Sequence, residues 1–225
     1  MRIATLAPAV LLTGLLGCGT TSGSGDSKMG YDASSRTTPD GLVEVDIEGP
    51  GHLFLRQDHG IGGYDAIAVA PSFVSYQRTS ARIDPEDEEI YLVSMEQAII
   101  DAARANGVEV VNRIGECVIK VGGGFVNVDL EQSAYAKDLG RMTLVIEYQD
   151  SMSGQSLLRY YAEEKIDREP EGVDRADHVA RNFDRMISEM NPIETLKAAT
   201  AVPSKPRAGC KGSLIDAGPT TAASR

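Results

Sequence analysis

Three cysteines, three histidines and a dense run of carboxylates are the residues with chemistry to offer in this chain of 225 residues. His52 and His59 flank Asp58 in GHLFLRQDHG, and imidazole and carboxylate are ordinary metal ligands. Their spacing fits no helical or finger pattern and no cysteine stands near, so they are read as surface or strand-end residues. His178, between Asp177 and Val179, is read as a surface residue of a helix. The run DPEDEE, Asp84 to Glu89, lacks the alternation and central glycine of a calcium loop. Gly60-Ile61-Gly62-Gly63 precedes a strand, where a dinucleotide fingerprint would open a helix, and Gly122 to Gly124 lacks the Lys-Ser/Thr of a phosphate loop. No G-x-S-x-G elbow or H-E-x-x-H pair occurs. No catalytic residue, metal ligand or cofactor-binding residue is assigned, which leaves Cys18, Cys117 and Cys210.

Cys18 closes an apolar segment. Met1-Arg2 gives a positive start, and Ile3 to Leu16 is apolar apart from a few breaks. Its length of about 14 residues falls short of the roughly 20 that span a bilayer and fits a secretory signal. The segment ends Leu15-Leu16-Gly17-Cys18, which resembles the lipobox of bacterial lipoproteins. That resemblance implies cleavage before Cys18, a diacylglycerol on its sulfur and acylation of the new amine. Two or three chains hold a protein stably where one holds marginally, at about 0.8 kcal/mol per buried methylene. The bland alternative is a plain signal peptide with a chance cysteine. Gly19 follows; in enteric-type bacteria an aspartate there retains lipoproteins at the inner membrane, so the resemblance implies the outer membrane, with the body facing the periplasm.

With Cys18 lipidated, Cys117 and Cys210 remain as an even pair in an oxidising compartment, which suggests a disulfide. The alternative is two free thiols, a buried Cys117 and an exposed Cys210; an exposed thiol is a liability in that compartment, which favours the bridge. Lys and Arg number 22 against 33 Asp and Glu, a net charge of −11. That balance argues against nucleic acid, whose phosphates need clustered cations, and against a polybasic lipid contact. Tryptophan is absent and aromatics are 5%, too few for a base-stacking platform.

The elements that must position these residues follow from periodicity. Residues 1–17 are the signal, and 18–40, rich in Gly, Ser, Thr and Asp, form a flexible tether spanning roughly 25 Å. Residues 41–200 form the single folded domain, and 201–225, rich in Pro, Ala, Gly, Ser and Thr, a largely disordered tail. Within the domain, Gly41 to Arg56 contains two short strands around Gly49-Pro50-Gly51. Tyr64 to Tyr76 is a strand with Ile67, Val69 and Phe73 on one face and a bulge or edge at Pro71. Asp84 caps a helix with Pro85 at its first position and Leu92, Met95, Ile99 and Ala103 as its apolar stripe, ending at Asn106-Gly107. Val108 to Val111 returns as a strand. Glu116 to Leu130 alternates on both sides of three glycines that mark a bend, bulge or hairpin. Arg141 to Ile166 is a hairpin turning at Asp150 to Gly154, and Val173 to Met190 is a second helix, with a short one following Asn191-Pro192. The expected fold is α+β, a two-layer sandwich of about four to six mostly antiparallel strands with two main helices on one face.

YDAIAVAPSFVSY, the helix after DPEDEE and GRMTLVIEYQDSMSGQSLLRY together resemble a family of uncharacterised bacterial lipoproteins known only as a domain of unknown function, over Gly41 to Ile166. The resemblance implies no activity and transfers no active-site residue. The reading is an anchored, non-catalytic envelope domain that binds a protein partner or self-associates, with a lipid anchor and no nucleic acid. The alternative is an accessory domain holding a small molecule between sheet and helices, and a third reading is a cell-wall or lipid hydrolase.

Overall fold

The computed structural model describes residues 37–47, 51–131 and 138–214, all within the unit Ala33–Arg225. The signal segment, Cys18, the tether to residue 36 and the Gly49-Pro50 step lie outside the described residues. No helix among the described residues is long and apolar enough to cross a membrane.

Eight strands form one sheet: β1 Val43–Val45, β2 His52–Leu55, β3 Ala66–Val69, β4 Phe73–Tyr76, β5 Glu109–Val111, β6 Val118–Leu130, β7 Asp138–Asp150 and β8 Ser156–Asp167. Their order is β1-β2-β8-β7-β6-β3-β5, with β4 also on β6. The α+β class stands, but the sheet is larger than four to six strands and is mixed. β3 runs parallel to both β5 and β6, and β4 runs parallel to β6, whereas the β2-β8-β7-β6 ribbons are antiparallel. The parallel part arises because β4 leads into helix α1, Pro85–Ala105, which carries the chain back to β5 beside β3. Parallel neighbours need such a crossover.

β3 and β4 are one strand broken at Pro71. Val69 pairs with Val121 and Phe73 with Gly124, so one extra residue stands on the broken side. Proline has no N–H to give the ladder, and the inserted residue reverses the alternation. Val74 and Tyr76 therefore join Ile67 and Val69 against the helices, while Phe73, expected on their face, is 38% exposed. β6 makes the same adjustment without a proline. Ile119, Val121 and Phe125 face the core, then Asn127 takes φ 54° and the register shifts, so Val128 and Leu130 face it next.

The three glycines expected to bend β6 lie in its unbroken middle. They supply clearance. A Cβ on Gly123 would stand 2.6 Å from Met95 Sδ, and one on Gly124 2.6 Å from the Phe73 carbonyl. Helix α1 and the start of β4 thus approach the strand more closely than any side chain would allow.

Helices α1, α2 (Arg175–Glu189) and α3 (Pro192–Ala201) share one core with the sheet. Asp84, Asp174 and Asn191 cap them, accepting from Glu86 N, from Ala176 N and Asp177 N, and from Glu194 N. The buried stripe of α1 is Tyr91, Met95, Ile99 and Ala103; Leu92 sits half-buried beside it. Phe183 of α2 joins the layers, stacked on Tyr91 at 4.9 Å and edge-on to Phe125 at 4.5 Å. Tyr148, fully buried in β7, donates to the Pro192 carbonyl at 2.5 Å and so fixes the start of α3 to the sheet.

Candidate functional site

Besides the cluster of Arg159 with Asp40 and Glu147, polar side chains gather among the described residues at two places, one at each end of β6. The first is where the chain beyond α3 is fastened. Residues 203–214, expected to be without fixed structure, lie against the body, and Leu214 is buried. Cys117, just before β6, is disulfide-bonded to Cys210 with Cα atoms 5.5 Å apart, within the range a bridge demands. Asp65 Oδ1 accepts the backbone N–H groups of Lys211 at 2.9 Å, Gly212 at 2.7 Å and Ser213 at 3.4 Å. Burial raises the Asp65 pKa, but these N–H groups and the Lys211 charge outweigh it, for a net value below the usual carboxylate range. Asp65 and the two sulfurs lie within 4.8 Å of one another. The sulfurs are bonded to each other and Oδ1 is occupied by three donors, so the oxidised cluster has no free thiolate to offer a metal.

Deeper in the same region Asp150, 2% exposed, ends β7 at the turn before β8. Its Oδ1 accepts Ser153 N at 2.7 Å and Ser153 Oγ at 2.8 Å; its Oδ2 accepts Tyr64 Oη at 2.7 Å and pairs with Arg207. Burial raises the Asp150 pKa, but the Ser153 and Tyr64 hydrogen bonds and the Arg207 charge outweigh it and hold the carboxyl anionic. Burial and the neighbouring anion push Tyr64 up to about 12. Arg207 also lies over the Tyr64 ring at 5.2 Å. Gly63 admits it, because a Cβ there would stand 2.3 Å from Arg207 N.

His59 belongs to this fastening too, against the expectation of a surface position. It is 3% exposed, accepts Ile61 N–H on Nδ1 at 3.1 Å and donates from Nε2 to the Val202 carbonyl at 3.1 Å. Both nitrogens are used as a neutral ring uses them, and burial pushes its pKa below the ordinary value. His52 is half-buried and bonds Glu44 Oε1 at 2.7 Å, Asp58 is exposed, and His178 Nε2 reaches the Asp167 carbonyl at 3.2 Å. The structure does not bring these three together.

The second place is an open cleft of about 520 Å³ between the N-terminal turns of α1 and α2, at the far end of β6. Ile83, Tyr91, Leu130, Leu139 and Val179 supply apolar lining. Asp84, Asp87, Glu131 and Asp174 bring carboxylates to it, against Arg82 and Arg175. Arg82 is engaged over the Tyr76 ring at 5.2 Å. Both helix N-termini are closed by their own capping aspartates, which offsets the positive dipole ends an anion would use. Tyr91 is 6% exposed, and its hydroxyl has no hydrogen-bond partner among the described residues. Burial first, then the charges of Asp87, Asp184 and Asp177, push its pKa up to about 12, so it stays protonated at neutral pH. An apolar cleft of this size with a few polar groups at its edge is the usual form of a small-molecule site.

The cleft escaped the sequence reading because its parts come from three separated regions of the chain: Ala81 to Tyr91, Leu130 to Leu139, and Asp174 to Val179. Asp84 was legible as a cap; Tyr91 was masked by the neighbouring Leu92 in the helical stripe. Asp150 was legible as a turn residue, but nothing in PSKPRAGCKGSL beyond Cys210 marks Arg207 and Leu214 as its covering.

No family model matches the chain, and no curated protein does; the resemblance of Gly41–Ile166 to an uncharacterised lipoprotein family therefore gains no support. Among solved structures it is similar to the PelC dodecamer of Paraburkholderia phytofirmans, at 15% identity over 65% of this chain and 96% of that one, with a TM-score of 0.30. It is also similar to a minor lipoprotein of Acinetobacter baumannii, at 12% identity over 61% and 94%, TM-score 0.35. A third is a lipoprotein of Neisseria meningitidis, at 10% identity over 56% and 97%, TM-score 0.27. TM-scores this low do not establish a shared fold.

Proposed function

We propose that this protein is an envelope lipoprotein, held at the outer membrane through acyl chains on Cys18, and that its periplasmic body works by binding a partner without a chemical step. The observation that carries the reading is the Cys117–Cys210 bond. Structural disulfides persist in exported proteins and are rare in reducing compartments, and this one stands in a chain whose apolar start ends in Leu15-Leu16-Gly17-Cys18. The acidic balance of the chain fits a role away from nucleic acid and anionic lipid headgroups. Crosslinking and pull-down from intact cells, with wild type and Cys18→Ala, tests it. Wild type is expected to fractionate with membranes and capture a partner set that Cys18→Ala loses; identical fractionation and partners for both would overturn it.

The cleft between α1 and α2 favours a second reading of the same body, an accessory domain that holds a small molecule. Its apolar lining and the unpartnered Tyr91 hydroxyl support that reading.

A further inference from the structure

The small-molecule reading leaves open what the cleft holds, and its charges narrow the choice. Among the described residues, four carboxylates and two guanidinium groups line it, and one guanidinium is drawn off onto Tyr76. The capping of Glu86 N by Asp84, and of Ala176 N and Asp177 N by Asp174, occupies three of the donors an anionic ligand would seek at two helix starts. Asp177 and Asp184 of α2 add negative potential at Tyr91. The lining nearest the sheet is Leu130, Leu139, Val179 and the Tyr91 ring, with no cation among them.

We infer that the cleft binds a small amphipathic cation, an apolar body carrying an ammonium group. The body lies against Leu130, Leu139 and Val179. The ammonium N–H groups donate to the Asp87 carboxylate and to the Tyr91 hydroxyl oxygen, which otherwise lacks a partner. A charge-assisted hydrogen bond at a half-dry site is worth more than one in water, and Asp87 is half-buried. The same groups disfavour an anion of identical shape, since each carboxylate repels it and the capping aspartates already hold Glu86 N, Ala176 N and Asp177 N. Size sets a further limit, because about 520 Å³ suits a small molecule better than a folded segment of another protein.

This inference rests on the small-molecule reading above, and three probes of one shape test it: phenylbutylamine, phenylbutanol and phenylbutanoate. Binding to the oxidised mature chain is measured by calorimetry, with wild type, Asp87→Asn and Ala176→Trp. Ala176 is exposed in the cleft wall, so a large side chain there fills the cleft without entering the core. The amine is expected to bind at least about tenfold more tightly than the carboxylate, with the alcohol between them. Asp87→Asn should reduce that preference severalfold, and Ala176→Trp should abolish binding of all three while leaving the circular dichroism unchanged. Equal affinity for amine and carboxylate would overturn the cation preference. An amine that fails to bind, or that binds Ala176→Trp as well as wild type, would remove the cleft as the site. If Ala176→Trp then still captures the wild-type partner set in cells, the binding role of the body survives and this inference alone falls.

Discussion

At the start of β6, beside Cys117, the Asp150 carboxyl receives two donors from Ser153, one from Tyr64 and the charge of Arg207. Beyond Leu130 at the other end, Asp87 and Asp174 stand at an apolar cleft around a tyrosine hydroxyl that has no partner among the described residues. Both ends bring carboxylates, an arginine and a raised tyrosine together. The first is satisfied internally, with Asp150 answered by Ser153 in its own turn and by Tyr64 and Arg207 from distant parts of the chain, so its chemistry is spent on holding residues 203–214 in place. The second has groups to spare. The Tyr91 hydroxyl takes no hydrogen bond from the described residues and is left open to what enters the cleft.

The largest way to break this contrast is to unfasten the first end. The double variant Cys117→Ser, Cys210→Ser removes a bridge that spans a sequence separation of 93, which loop-closure entropy values at about 4.6 kcal/mol. Chemical denaturation should show a loss of that order. Limited trypsin digestion should become fast at Arg207 and Lys211, and amine binding in the cleft should be retained. Loss of cleft binding along with the strap would show that the two ends are not independent.

Next in size is Asp150→Asn, which keeps the shape and discards the charge. It leaves Arg207 without its anion and weakens the hydrogen bond from Tyr64, for about 2–3 kcal/mol, discounted because Arg207 is itself about one-third exposed. The pH dependence has a definite sign. The folded-state pKa values of Asp150 and Asp65 are lowered, so their stabilisation is complete above the unfolded value of about 3.9 and is lost as pH falls through the lower folded values. Thermal melts of wild type should therefore drop steeply below about pH 4, and those of Asp150→Asn should drop less. Parallel curves would mean that Asp150 carries no charge-dependent stability.

How much of this was legible in the residues depended on the range of the interaction. Helix α1 could be read from Asp84, Pro85 and Asn106-Gly107, and the β7–β8 hairpin from its alternation and the Asp150–Gly154 turn, because each is decided within a few residues. Pro71 announced its break, but the reversal of Phe73 follows from the partner register on β6, and periodicity along one strand does not contain it. Asn127 announced nothing, since one residue in a left-handed conformation changes no composition. The Gly122–Gly124 run was conspicuous and misleading: its glycines answer Met95 and Phe73, which approach from distant parts of the chain. The C-terminal strap looked disordered because its composition is that of a linker, and its order comes from a disulfide and from Asp65 and Asp150 on the body.

The smallest effect is the most discriminating. Tyr64→Phe and Tyr91→Phe delete the same oxygen from two equally buried rings, 2% and 6% exposed. Tyr64 donates to an anion at 2.7 Å, and losing a hydrogen bond to a charged acceptor costs about 1.5 kcal/mol. The Tyr91 ring stacks on Phe183 at 4.9 Å, a contact that phenylalanine keeps, and no hydrogen bond to another described residue goes with its hydroxyl. Tyr91→Phe should therefore stay within about 0.5 kcal/mol of wild type while weakening amine binding in the cleft. Urea denaturation of the two variants side by side measures the difference directly. Similar losses would mean that the Tyr91 oxygen is used inside the fold after all, and the distinction between a spent end and an open end of β6 would go with it.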